Sequence, residues 1–383
     1  MGLATATALR EEFLLDSDIV YLNHGAFGAC PRPVFEGYQA WQLELERNPS
    51  DFLGRRINGL LDEARERLGA YVGGDPDDLV FVPNATFGLN LVARALSLGP
   101  GDEVVITQHE YGAAQLMWRF VCRQARARLI ECELPVPAGD DDEIVDAVSA
   151  ALTPRTRVVS FSHVTSPTAL VLPVAELCRR AREAGVLTVV DGAHAPGQVA
   201  LDLKGLGPDA YTGNCHKWLC APKGAGFLYV RPEHHDWIGS LVVGWGWEDE
   251  QAGFVRRNQD QGTRDPAAYL AVSDAIAFQE AHAWDDVRAR CHRLAVEARE
   301  ELAALGLEPL AASPDRLAQM VSVELPPCDP LELYRRLALD HRIELWAKAW
   351  AGRPAMRLSF QGYNERDDLD RLLDVLPALL PGH

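Results

Sequence analysis

No stretch of this chain approaches the run of about 20 apolar residues that a membrane-crossing helix needs. The opening MGLATATALREEF lacks the apolar core of a secretory leader, so export is not expected. Positive charge is scarce: 37 Lys and Arg stand against 55 Asp and Glu, a net −18. That balance excludes non-specific attraction to nucleic acid or to an acidic membrane face. It leaves room for a small anionic ligand, which single cations and helix N-termini decide. The cysteines at 30, 122, 132, 178, 215, 220, 291 and 328 form no CxxC pair and no metal-site spacing. A reduced, cytoplasmic setting is therefore expected, with no metal. Internal repeats, a P-loop and a dinucleotide fingerprint are also missing, which removes nicotinamide chemistry from consideration.

What is present is a core of ordinary size. With 383 residues the chain exceeds what one hydrophobic core sustains, and two unequal domains are expected. Short β-branched runs alternate with amphipathic helical stretches, the pattern of an α/β protein with a mostly parallel sheet. Strands are expected at Leu79–Val82, Val104–Thr107, Arg128–Glu133, Val158–Phe161, Val186–Val190, Ala210–Gly213 and Gly226–Val230. Helices are expected between them, and at Ala267–Ala283, Trp284–Leu305, Pro330–Leu339 and Asn364–Leu379. Met320–Leu325, Ile343–Trp346 and Met356–Phe360 read as strands of a second unit.

The stretch from Val186 to Val230 organises the rest. Asp191 ends one apolar strand and Lys217 follows the next, at the sheet edge where α/β proteins place ligands. Alone, each residue reads as a turn aspartate or a surface lysine. Together they suit pyridoxal 5'-phosphate (PLP), which needs a lysine to form its Schiff base and a carboxylate to keep its ring nitrogen protonated. The amine, once displaced, can move protons at the substrate Cα. Upstream, Pro83-Asn84-Ala85-Thr86 joins a strand to a helix start, whose free amides and dipole favour a phosphate.

DGAH, GNCHKW and PKGAGFLYV, with YLNHGAFGACPRP near the start and MRLSFQGYNERDDLDRL near the end, resemble the class V group of fold-type I PLP enzymes. The detailed likeness is greatest to the isopenicillin N epimerase-like branch and covers nearly the whole chain. The resemblance implies a mostly parallel, seven-stranded-type sheet between helices plus a small C-terminal α/β domain. Its expected bounds are an arm at 1–20, a large PLP-binding domain at 21–265, and bridging helices with the small domain at 266–383.

It also implies roles. Lys217 bears the cofactor and Asp191 holds the pyridinium. Ala85, Thr86, His216, Asn214 and Thr263 are the phosphate set, with Thr263 reaching the site of a neighbouring subunit, so a homodimer with shared active sites is expected. Tyr111 takes the ring-stacking position, and His109 lies out of that register. Ser166, or Thr165 beside it, and His194 are candidates for the phenolic oxygen. His194 also suits proton traffic beside the Schiff base. Asn23 and His24 are candidate substrate contacts, and Arg357 matches the clamp for a substrate carboxylate, for which a guanidinium fork is suited. The branch implies epimerisation at Cα of an amino acid or an amino-acid-derived substrate, with a second acid supplied by His24, Tyr111 or water. A C–S lyase and an aminotransferase are the alternatives. A desulfurase requires a cysteine in the loop before Arg357, and Trp346–Ala355 has none. Retention of both Asp191 and Lys217 argues against a non-enzymatic scaffold.

Overall fold

The computed structural model describes residues 5–247 and 253–381. Thirteen strands occur in chain order among them: β1 (Val20–Tyr21), β2 (Leu79–Val82), β3 (Glu103–Thr107), β4 (Arg128–Cys132), β5 (Thr156–Ser162), β6 (Leu187–Gly192), β7 (Ala210–Asn214), β8 (Gly226–Val230), β9 (Glu308–Pro309), β10 (Met320–Glu324), β11 (Ile343–Glu344), β12 (Trp346–Trp350) and β13 (Arg353–Ser359). Seven of them make the central sheet, in the order β2-β8-β7-β6-β5-β3-β4. β8 runs antiparallel to both neighbours, and every other pairing is parallel. Parallel strands require covered faces. Val104, Val105, Ile106, Val158, Val159, Val189 and Val190 are accordingly all buried.

The covering helices follow from spacing. Val174, Leu177, Cys178 and Ala181 form the buried stripe of the helix Val174–Glu183, while Glu176, Arg179 and Glu183 pair on its wet side. Ala85–Ala95 buries Ala85, Gly88, Leu89 and Val92 against the sheet. Among the described residues no helix is long and apolar enough to cross a membrane.

The second sheet is antiparallel, in the order β12-β13-β10-β9. Here the structure departs from the sequence reading. The expected strand Ile343–Trp346 is split, and the expected loop after it is a hairpin. Trp350 pairs with Arg353 across Ala351-Gly352, whose φ values are +49° and +77°. Two successive left-handed residues make the turn type whose twist suits a tight hairpin. The expected helix 267–283 is likewise two pieces, Ala267–Leu270 and Val272–Ala281. β1 pairs in parallel with β11, so residues 20–21 attach to C-terminal elements rather than to the central sheet.

Candidate active site

The C-terminal ends of the parallel strands converge on one cavity of about 260 Å³. Asp191 comes from the end of β6 and Asn214 from the end of β7. Ala85 and Thr86 come from the helix start after β2, and Ser162 from the end of β5. Asn84, His194, His216, Lys217, Ser166 and Tyr111 complete its polar lining, and Ala26 and Phe27 form an apolar lip. Of the residues expected from the sequence, nine border this space; Asn23, His24, Arg357 and Thr263 do not.

Lys217 sits half-buried, its amine 3.1 Å from His194 Nε2. Burial drives its pKa down and Arg357 adds to this; Asp191 opposes it. The amine is thereby biased toward its neutral, nucleophilic form. Asp191 is buried, with Oδ1 accepting from the Ala193 amide at 2.9 Å. Burial raises its pKa against the pull of that amide and of Lys217. An acid so placed is stabilised as an anion by a cation in the cavity. A protonated pyridine nitrogen is such a cation, so the donor set fits PLP.

Behind Asp191, Glu110 accepts from Thr107 Oγ1 at 2.6 Å and from Ser162 Oγ at 2.7 Å. Burial lifts its pKa to about 7. Sequence reading passed over Glu110, because its partners are brought together only by the β3–β5 pairing.

The phosphate end is more constrained than expected. Asn84 Oδ1 caps the helix by accepting from the Phe87 amide at 2.9 Å. Asn214 Oδ1 accepts from the Ala85 amide at 2.8 Å. The Ala85 N–H is therefore spent inside the protein, and Thr86 is the residue of that turn left to meet an anion. His216 donates from Nδ1 to the Ala225 carbonyl at 3.1 Å, and burial lowers its pKa to about 4. Its Nε2 can donate to a phosphate only when the ring takes up a second proton.

His24 requires a correction. It was expected at the substrate, but it is fully buried beneath the site. Its Nδ1 bonds Tyr363 Oη at 3.0 Å, and its Nε2 lies 3.0 Å from the Lys217 carbonyl and from Gln361 Nε2. Burial lowers its pKa to about 3. His24 is a buttress under the Lys217 backbone. Asn23 is also turned inward, donating to the Leu345 carbonyl at 3.2 Å.

Arg357 is buried on β13, directly across from Trp346 of β12, with its guanidinium 5.5 Å from that ring. Its Nη1 donates to the Ser166 carbonyl and, at 3.3 Å, to Ser166 Oγ. Ser166 therefore belongs to the arginine's mounting as well as to the cavity wall. Thr263 lines a different cavity of about 310 Å³, with Trp245, Gln261 and Arg264.

Gly28 makes the buttress geometry attainable. It has φ +70° and ψ 165°, and a Cβ there would lie 2.0 Å from the His216 carbonyl oxygen. That backbone region is essentially glycine-only. Gly28→Ala should lower stability by about 3 kcal/mol, read as a fall in Tm; an unchanged Tm would show that the turn can move away from Lys217.

The sequence profile of the family described as aminotransferase class-V matches residues 20–372. The chain belongs to the class-V aminotransferase family. It is accordingly a PLP-dependent enzyme of that family. This class-V chain is 38% identical to a protein named isopenicillin N epimerase from Streptomyces clavuligerus, over 99% of each chain. It is 40% identical to one of the same name from Amycolatopsis lactamdurans, over 98% of this chain and 99% of the relative. The apo structure of a cysteine desulfurase from Thermococcus onnurineus NA1 has the same fold, with a TM-score of 0.86 at 22% identity over 100% of this chain and 99% of that one.

Proposed function

We propose that this enzyme epimerises the α-carbon of an amino acid or an amino-acid-derived substrate. The observation that carries the reading is the end-to-end likeness to two isopenicillin N epimerases at 38% and 40% identity. PLP, when bound, supplies an electron sink for the pair left at Cα. The protein's part is proton handling and positioning. Asp191 holds the ring N–H. Arg357, mounted behind Ser166 of the cavity wall, is the proposed partner of the substrate carboxylate once Ser166 yields its guanidinium. Lys217, biased toward the neutral amine, removes the proton from one side of Cα. The other side needs an acid, and His24 is withdrawn because both its ring nitrogens are engaged. Tyr111, half-exposed on the cavity rim, is the proposed donor.

Incubation in heavy water tests this reading. A single substrate epimer should gain deuterium at Cα and yield both epimers. Release of pyruvate with loss of the β-substituent would instead mark β-elimination, and a 2-oxo acid that keeps the substrate's side chain would mark transamination. Tyr111→Phe keeps the ring and removes the hydroxyl. It should leave Cα exchange within about threefold while slowing epimerisation by about 10²-fold. Equal rates of epimerisation would remove Tyr111 from the scheme.

We also propose a homodimer with shared sites. Thr263 and Lys217 line two different cavities of the same chain. A second copy facing the cavity that Thr263 lines would bring that residue to the partner's site. Mixing Lys217→Ala with Thr263→Ala chains should regain activity that neither has alone; a monomer on sedimentation, or no regain, counts against the shared site.

A further inference from the structure

Trp218 follows Lys217 in the chain, and its buried indole makes one side-chain hydrogen bond. Nε1 lies 3.3 Å from His194 Nδ1. An indole N–H can only donate, so His194 Nδ1 must accept. The single proton of the neutral imidazole is then on Nε2, the nitrogen 3.1 Å from Lys217 Nζ. Both partners are held through their backbones. Gln279 Nε2 donates to the Trp218 carbonyl at 2.8 Å, and Gln198 Nε2 to the His194 carbonyl at 2.6 Å. Gly197, at φ +89°, lets the chain pass so close to Trp218 that a Cβ would fall 2.2 Å from its carbonyl oxygen.

We propose that Trp218 is a positioning residue whose indole N–H locks His194 in the Nε2–H tautomer, making the imidazole a fixed hydrogen-bond donor to the atom at Lys217 Nζ. A neutral amine accepts that bond; an ammonium meets it head-on. His194 is then not the proton shuttle its residue type suggests, because a second proton on Nδ1 would face the indole N–H.

The charged and titratable groups facing the pair are few. Asp191 at the end of β6 favours the ammonium, and Arg357 on β13 opposes it. His216 beside Lys217 and His24 beneath it have their pKa values lowered by burial and carry no charge near neutrality. His194 itself is shifted well down, by burial first and then by Lys217 and Arg357. The catalytic consequence rests on Lys217 as the PLP-bearing amine, but the tautomer does not.

The apo protein with ¹⁵N-labelled histidine tests the tautomer directly. Near neutral pH, His194 Nδ1 should resonate as a bare ring nitrogen and Nε2 as a protonated one. Trp218→Phe keeps an aromatic ring and removes the donor. An Nδ1–H form should then appear, and the pH midpoint for capture of pyridoxal phosphate by Lys217 should rise by about one unit. An Nδ1–H imidazole in the parent protein would overturn the proposal, and that spectrum needs no variant to fold. An unmoved midpoint in a folded Trp218→Phe protein would overturn it as well. If the Nε2–H form is present but no reduced adduct forms at Lys217, the reading of Lys217 fails and the tautomer stands.

Discussion

Lys217→Ala should lower turnover by at least about 10³-fold while leaving a folded protein. The side chain opens into the cavity and is structurally dispensable. The Lys217 carbonyl, not its amine, receives the bonds from His24 Nε2 and, at 3.0 Å, from the Cys220 amide. Removing the amine also relieves a cost. The native pKa of Lys217 lies below its unfolded value, so the folded state binds fewer protons than the unfolded one between the two. In that window the parent gains stability as pH rises, and it is least favoured below the native pKa. The alanine variant lacks this slope, and its Tm near neutral pH should be no lower than the parent's. Borohydride reduction followed by peptide mass analysis reads the chemistry. The parent should carry the adduct on Lys217 and the variant none. An adduct on Lys204, Lys223 or Lys348, the remaining lysines, would refute the assignment.

Asp191→Asn separates the two halves of the pair. Asparagine is nearly isosteric, and its Oδ1 can keep the bond to the Ala193 amide. Lys217 loses the one charge that favours its protonated form, so its amine becomes more neutral, and the borohydride adduct should form as in the parent. What is lost is the anion facing the ring nitrogen. Exchange of the substrate Cα hydrogen in heavy water should slow by about 10²–10³-fold. Exchange within threefold of the parent would mean that Asp191 is structural and that another group holds the ring.

The inner strands of the central sheet were legible because they are buried on both faces, so each is a short, valine-rich and mostly apolar run: Val158–Phe161 and Val186–Val190 needed no partner to be recognised. Observed bounds differ mainly at the ends, as for Thr156–Ser162. The Ala351-Gly352 hairpin was missed because alanine carries no signal for the left-handed turn that Gly352 alone does not fix. At the site, residue type located the cavity lining but not the use of each atom. His24 and His194 have the same intrinsic chemistry. One is exhausted by Tyr363, the Lys217 carbonyl and Gln361, elements up to about 340 positions away in the chain, while the other points at the amine. Trp218 gave no signal at all, since a tryptophan beside the lysine reads as core until its N–H is seen against an imidazole.

The pairing of β1 with β11 has a bearing on biosynthesis. Val20 and Tyr21 meet Ile343 and Glu344, the Leu22 carbonyl accepts from the Ser359 amide, and Asn364 donates to the Tyr21 carbonyl. A ribosome makes the first of these segments long before the last. The nascent N-terminal segment must wait, unpaired, until almost all of the polypeptide has emerged. The buttress under Lys217 is completed at the same late moment, because Tyr363 and Gln361 are its final members. A chain stalled or clipped before about residue 360 would hold a finished central sheet and an unsupported lysine.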